Sequence, residues 1–138
     1  MSPQTHVERK IEKIRAYLRE LENFRGVNAE ILAADFQKRA ALERILYLAC
    51  DSLISLMEMI IVEKKYERAE NYSENVDILL QHKQINVMQA ETLHKIVGLR
   101  NTLSHDYEKL NLKIFADIVS EKLPEFEAVL DALARGYR

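Results

Sequence analysis

Apolar residues recur at steps of three and four positions along most of the chain, which is the spacing of one face of an α-helix. The first such stripe lies within about residues 5–23, and charged side chains fill its other faces. Gly26 follows the stripe and is predicted to stop the helix. The stripe consists of Val7, Ile11, Ile14, Leu18 and Leu21.

A second, longer helix is predicted to begin after Asn28, whose side chain can cap its first turn. Neither glycine nor proline interrupts residues 27–97. The stretch 42–62 is apolar on more than one face, so this helix is expected to be central in a bundle or shared with a second subunit. Lys64 and Lys65 are expected to end it, because positive charge suits a helix C-terminus.

Residues 66–75 are polar and form the predicted linker. Ser73 is expected to cap a short third helix that carries four apolar residues within 76–80. Asn86 and Gln89 have the spacing of a capping box, which predicts the start of a fourth helix.

A terminal helix is predicted after Asn111, and Pro124 is expected to kink or restart it. Its apolar stripe continues to Gly136. The period is helical throughout, so the sequence predicts an all-α fold, an antiparallel bundle of about five helices with a long central helix. Residues 1–138 are expected to form one domain.

The composition agrees with long helices, since the chain has three glycines, two prolines and no tryptophan. The formal net charge is −2, which is unlike the basic excess of a dedicated nucleic-acid scaffold. Any contact with nucleic acid must therefore come from a local patch. The single cysteine, Cys50, lies among apolar residues and is predicted to be a small buried side chain rather than a nucleophile.

The expected location is the cytoplasm. One cysteine permits no intrachain disulfide, which fits a reducing compartment. No apolar run approaches the roughly 18 residues of a membrane span. The N-terminus lacks the apolar core of a signal peptide. We expect a soluble protein without a membrane partner.

Three of the four histidines have surroundings that suggest no chemistry. His6 lies near the start of the first helix, His82 lies among polar residues, and His94 precedes Arg100 by six positions. No pair of them has the spacing of zinc ligands together with nearby carboxylates that could complete the site. There is also no glycine-rich phosphate loop and no Gly-x-Ser-x-Gly elbow. The sequence therefore predicts neither metal nor cofactor.

His105 differs because Arg100 and several polar residues crowd the same stretch, Arg100-Asn101-Thr102-Leu103-Ser104-His105-Asp106-Tyr107. On an unbroken helix, Arg100 and His105 would point about 140° apart. A helix that ends within residues 101–103 would let the two side chains converge, and this is what a shared site requires. The alternative is an ordinary helix end with a capping histidine and a surface arginine.

These residue types suit RNA cleavage without a metal. A histidine with pKa near neutrality can take the proton of a ribose 2′-OH or donate one to the leaving 5′-oxygen. An arginine can pair with the charge that builds on the phosphate. A symmetric dimer would supply two copies of each group. Residues 93–113 carry four positive and two negative side chains, a local excess of two that permits phosphate contact.

The order Arg100, Asn101, His105 resembles the ribonucleases of the HEPN superfamily. With Tyr107 added, the motif is similar to that of the HepT toxins, whose partners are minimal nucleotidyltransferase antitoxins called MntA. The resemblance extends loosely over the whole chain through its long second helix, polar linker, short third helix and terminal helix.

This resemblance implies a homodimeric endoribonuclease toxin with its sites at a cleft between subunits. Arg100 and His105 would be catalytic, with Asn101 supporting them. Tyr107 would receive AMP from the antitoxin, and the added bulk and negative charge would repel RNA. A plain packing role for the Tyr107 ring is compatible with this. The residues expected to contact RNA are Lys95, Ser104 and Lys109.

Two other functions remain open on the sequence alone. The first is a helical HEPN module that lacks catalysis and binds a nucleotidyltransferase, and the near-neutral charge and two-faced helix also fit this function. A metal or cofactor enzyme is the weakest alternative, since the acidic residues and histidines form no ligand set with helical spacing.

Overall fold

The computed structural model describes residues 2–105 and 111–138. The described residues are helical and contain no strand, which confirms the all-α prediction. Seven α-helices follow one another within these ranges. They are α1 (Pro3–Glu22), α2 (Ala29–Ala34), α3 (Phe36–Glu63), α4 (Tyr72–Gln81), α5 (Val87–His105), α6 (Leu112–Asp117) and α7 (Leu123–Tyr137).

Helix α1 buries the predicted stripe against α3 and α7. Its five apolar residues are each at most 3% exposed. The side chain of Ser2 caps its first turn, where the amide of Thr5 donates to Ser2 Oγ at 3.2 Å. The helix ends at Glu22, and Gly26 lies in the following turn with φ +91°. A left-handed φ of this kind favours glycine, so Gly26 permits the turn that follows the helix, whereas the C-cap itself is Asn23.

The predicted second helix is divided into α2 and α3, so its continuity was predicted wrongly. Asn28 caps α2 as expected, with its Oδ1 accepting from the amide of Ile31 at 2.8 Å. Asp35 then adopts an extended backbone, and its own side chain accepts from the amide of Lys38 at 3.0 Å to start α3. A competing N-cap therefore breaks the helix without glycine or proline.

Helix α3 is the central element of the bundle. It packs against α1, α2, α4, α5 and α7, and eleven of its residues are buried. Its apolar character on several faces is thus explained by neighbours on several sides. It ends at Glu63, directly before Lys64 and Lys65, as predicted.

The expectation that no apolar segment approaches the length of a membrane span is wrong. By length and composition alone, α3 meets this criterion. An 18-residue window of α3 has mean hydropathy 2.0, and 56% of that window is buried inside the structure. The core helix of a soluble protein meets the same criterion, and the burial of α3 among five other helices is of that kind.

Helices α4 and α5 begin with side-chain caps. Asn71 caps α4 by accepting from the amide of Glu74 at 2.9 Å, so the assignment of Ser73 as cap was wrong. Asn86 and Gln89 form the predicted capping box at the start of α5, with bonds of 2.8 and 2.9 Å. The two reciprocal bonds satisfy donors that a helix start otherwise leaves free.

The terminal helix has three parts. Asn111 caps α6 as predicted, by accepting from the amide of Lys113 at 2.9 Å. A π-helical turn at Ile118–Lys122 follows, and α7 begins with Pro124 in its first turn. Proline is tolerated there because the amide it lacks has no partner within a helix start. The predicted restart at Pro124 is therefore confirmed.

Candidate functional site

Helix α5 carries the motif and continues through Arg100 to His105. A helix end within residues 101–103, the condition for Arg100 and His105 to converge in one chain, is therefore not met. The hydroxyls of Thr102 and Ser104 bond the carbonyls of Gly98 and Arg100 at 3.0 and 3.1 Å, so both follow the helical path. On this continuous helix, the backbone positions of residues 100 and 105 lie about 140° apart around the helix axis. One chain does not bring the two positions to the same face.

The guanidinium of Arg100 is held by the carboxylate of Asp51 on α3. Its Nε donates to Asp51 Oδ1 at 3.1 Å, and the two residues are 49 positions apart in sequence. The Arg100 side chain is 16% exposed, whereas that of Asp51 is 38% exposed. The pair thus lies at the edge of the α3–α5 contact, with the arginine the more enclosed partner.

Two tyrosine rings flank the same guanidinium. Its carbon lies 5.5 Å from the ring centre of Tyr47 on α3 and 5.0 Å from that of Tyr72 at the start of α4. Both distances are within the range of cation–π attraction. Arg100 Nη2 also approaches the Tyr47 hydroxyl at 3.5 Å. Tyr47 and Asp51 are four residues apart, which places both on one face of α3.

Asn101 and Ser104 contact the remaining terminal nitrogen. Arg100 Nη1 donates to Ser104 Oγ at 3.2 Å and to Asn101 Oδ1 at 3.4 Å. These acceptors are neutral, and their bonds are longer than that to Asp51. The structure therefore brings Arg100, Asn101 and Ser104 together, with Ser104 on the arginine itself.

The Arg100 side chain stays protonated and positively charged. Burial lowers the pKa of its guanidinium, but the bond to Asp51 and the charges of its neighbours outweigh this and raise the pKa above its ordinary value. The side chain is consequently a fixed cation, which is what stabilisation of a phosphate transition state needs.

The other predicted site residues are placed differently. Lys95 is exposed on α5 and lines a separate cavity of about 250 Å³ with residues of α6, the π-helical turn and α7. It is five positions from Arg100 and so faces away from it. His105 is the last residue of α5. Tyr107 and Lys109 lie outside the described residues.

The other three histidines and the cysteine have surroundings different from those of Arg100. His94 bonds Asp77 on α4 at 2.9 Å, and His82 bonds Glu67 at 3.0 Å and stacks on Tyr66. His6 is exposed on α1. Cys50 is fully buried, and this burial, followed by the charge of Asp51, raises the pKa of its thiol. The prediction that Cys50 is a small buried side chain is confirmed.

No group of three or more metal-ligating side chains occurs within residues 2–105 and 111–138. The cluster around Arg100 contains one carboxylate, one guanidinium and neutral groups. This set suits an anion rather than a cation.

Sequence reasoning missed Tyr47, Asp51 and Tyr72. One signal was present, because Asp51 is the only charged residue between Ile45 and Met57. A carboxylate inside an apolar helix is expected to have a partner. The sequence offered no means of choosing that partner among the chain's 20 lysines and arginines.

The arrangement can bind a phosphate. Arg100 is anchored through Nε, while within residues 2–105 and 111–138 its two terminal nitrogens contact neutral oxygens only, at 3.2–3.5 Å. A phosphate oxygen is charged and accepts a stronger bond than a hydroxyl or an amide. The terminal nitrogens can therefore exchange these contacts for a phosphate while the anchor stays in place.

The chain was compared with known proteins. The sequence profile described as "Ribonuclease HepT-like" matches residues 11–133. A curated relative from Shewanella oneidensis, called "mRNA nuclease HepT", is 26% identical over 124 residues, which cover 90% of this chain and 92% of the relative.

Solved structures with the same fold were also found. A tri-AMPylated HEPN toxin of Shewanella oneidensis, solved in complex with an MNT antitoxin, has a TM-score of 0.83 and 25% identity, covering 94% of this chain and 96% of the other. A mutant MntA toxin–antitoxin complex has a TM-score of 0.80 and 26% identity, covering 94% and 97%. The likeness spans nearly every helix described above.

Proposed function

Because this chain belongs to the HepT-like ribonuclease family, we propose that it is an endoribonuclease toxin that a nucleotidyltransferase antitoxin neutralises. Its relatives include an mRNA nuclease and HEPN toxins solved with their antitoxins. The observation that carries the proposal for this chain is the Arg100 guanidinium, held as a cation with two terminal nitrogens that a phosphate can bind. The family is one of soluble proteins, and we place this member in the cytoplasm.

In the proposed reaction, a ribose 2′-oxygen attacks the adjacent phosphorus and the bond to the 5′-oxygen breaks. The 2′-OH gives its proton to a base, and the leaving 5′-oxygen receives a proton from an acid. The products are a 2′,3′-cyclic phosphate and a 5′-hydroxyl. His105 exchanges these protons, and Arg100 stabilises the charge on the phosphate oxygens. Asn101 supports Arg100 through its side-chain oxygen.

A homodimer completes this site. The backbone positions of residues 100 and 105 lie on different sides of α5, and each chain has one copy of the motif. A two-fold axis beside α5 would place Arg100 of one subunit near His105 of the other and would supply two histidines as acid and base. RNA would lie across both subunits, with Lys109 near the motif and Lys95 as an outer phosphate contact.

RNA cleavage by the purified protein tests this proposal. We expect cleavage to persist in a chelator, and Arg100→Ala to lower its rate by about 10²–10³-fold, the usual effect of removing a group that stabilises transition-state charge. The rate is measured on a long single-stranded RNA. Arg15→Ala is the matched control, because Arg15 also bonds an aspartate of another helix, Asp131, at 3.1 Å.

Failure of the wild-type protein to cleave a broad set of RNAs would contradict the nuclease assignment. It would favour the alternative of a non-catalytic helical module that binds a nucleotidyltransferase. Equal loss in Arg100→Ala and Arg15→Ala would indicate that the arginine matters for folding rather than for chemistry.

Tyr107 is proposed as the acceptor of AMP. When the chain is incubated with its antitoxin and ATP, we expect a mass increase of one or more AMP units on the peptide that contains Tyr107, together with loss of RNA cleavage. The modification adds bulk and negative charge next to the motif, which repels the RNA backbone. Tyr107→Phe should abolish the mass increase and Tyr17→Phe should not. Full neutralisation with unmodified Tyr107 would contradict this role.

A further inference from the structure

We propose that Asp51 is a positioning residue for RNA cleavage, which holds Arg100 by its Nε edge and leaves both terminal nitrogens to the scissile phosphate. The inference rests on the proposed nuclease function. It adds a residue that lies on another helix and outside the motif.

The number of N–H donors on an arginine allows it to bind an aspartate and a phosphate at the same time. A guanidinium has five N–H groups in a fixed plane, one of them on Nε. In this chain the Nε donor is taken by a carboxylate, whereas the terminal nitrogens meet a hydroxyl, an amide oxygen and a phenol. Fixing one edge of a planar group sets the direction of the opposite edge. The anchored arginine therefore presents its fork in one orientation.

The anchor belongs to the central helix of the bundle. Asp51 lies between Cys50 and Ser52 on the central helix, and both neighbours are buried. The rings of Tyr47 and Tyr72 add contacts to the same guanidinium. Preorganised charge is effective in catalysis because it needs no reorganisation when the transition state forms. Asp51 thus connects the catalytic side chain of Arg100 to the central helix of the bundle core.

A carboxylate beside a phosphate site also repels the substrate. This repulsion weakens RNA binding and opposes any gain in affinity that the orientation of Arg100 provides. The contribution of Asp51 is therefore expected in the chemical step. A change in this step alters kcat, whereas a change in RNA binding alters KM.

The test measures kcat and KM of RNA cleavage for Asp51→Ala and Asp51→Asn. We expect kcat to fall by about 10–100-fold in Asp51→Ala, as for a misplaced catalytic group, with KM unchanged or lowered. Asp51→Asn should fall between this variant and the wild type, since its amide oxygen still accepts a hydrogen bond. Adding Asp51→Ala to Arg100→Ala should cause no further loss, because the anchor acts only through the arginine.

Asp131→Ala is the matched control, because it removes an ion pair of the same 3.1 Å length between α1 and α7. It should leave kcat unchanged. Unchanged or higher kcat in Asp51→Ala, with an active wild type, would overturn the positioning role alone. Additive losses with Arg100→Ala would overturn it as well. An inactive wild type would overturn this inference together with the nuclease function.

Discussion

His105→Ala is expected to lower the rate constant of RNA cleavage by about 10²–10⁴-fold, the usual contribution of a positioned acid or base. Alanine can neither accept the proton of the 2′-OH nor donate one to the 5′-oxygen. The measurement is cleavage of a defined RNA by purified wild-type and variant proteins in a chelator. A second measurement, growth on expression of each variant, should show that toxicity is lost with activity.

The pH dependence of the cleavage rate is a second, independent test of the role of His105. Arg100 has a raised pKa and stays charged over the accessible range, so it does not titrate. A change in the cleavage rate between about pH 5 and 8 therefore reports on a histidine. His105→Ala should flatten that change as well as lower the rate.

His94→Ala is the matched control for this experiment. His94 belongs to the same helix and bonds Asp77, away from the Arg100 cluster. It should keep wild-type activity and pH dependence. If His105→Ala remained as active and as toxic as wild type, the catalytic assignment of His105 would be wrong.

Leu53→Ala is expected to lower the free energy of unfolding by about 2–5 kcal/mol, the range for deleting a buried leucine in a packed core. Leu53 is 0% exposed on α3, the helix that contacts five others. Surrounding helices cannot close the cavity without moving away from their other neighbours. Urea unfolding of wild type and variant measures the difference, with m-values compared to check that both unfold in the same way.

Val62→Ala tests whether position on α3 or burial causes this loss. Val62 belongs to the same helix but is 76% exposed, so its truncation should change stability by no more than about 0.5 kcal/mol. Similar destabilisation by both substitutions would contradict the arrangement of α3 described above.

Local signals in the sequence predicted the helices well. The stripe of α1 and the capping box of α5 depend on residues three or four positions apart, and such contacts form wherever the helix forms. Where two local signals competed, the prediction failed. Asp35 interrupted a run without helix breakers, and Asn71 rather than Ser73 capped α4. Each residue is an acceptable cap by itself, so residue type alone does not choose between them.

For the candidate site, the sequence determined the chemical groups and their order. Arg100, Asn101 and Ser104 follow one another on a helix, and i, i+4 spacing places Ser104 on the arginine. It also allowed the resemblance to ribonuclease toxins that the family match then supported. The continuity of α5 to His105 was not among these determinations, because convergence of Arg100 and His105 in one chain required an end that the helix does not have.

The tertiary structure alone decided what holds the arginine. Asp51 and Tyr47 lie 49 and 53 positions before Arg100, and they meet it because α3 packs against α5. A periodic pattern fixes which face of a helix is apolar but leaves the pairing of polar groups at the edges of two helices undetermined. That pairing depends on how the helices are rotated and shifted against each other, which the packing of the whole core sets.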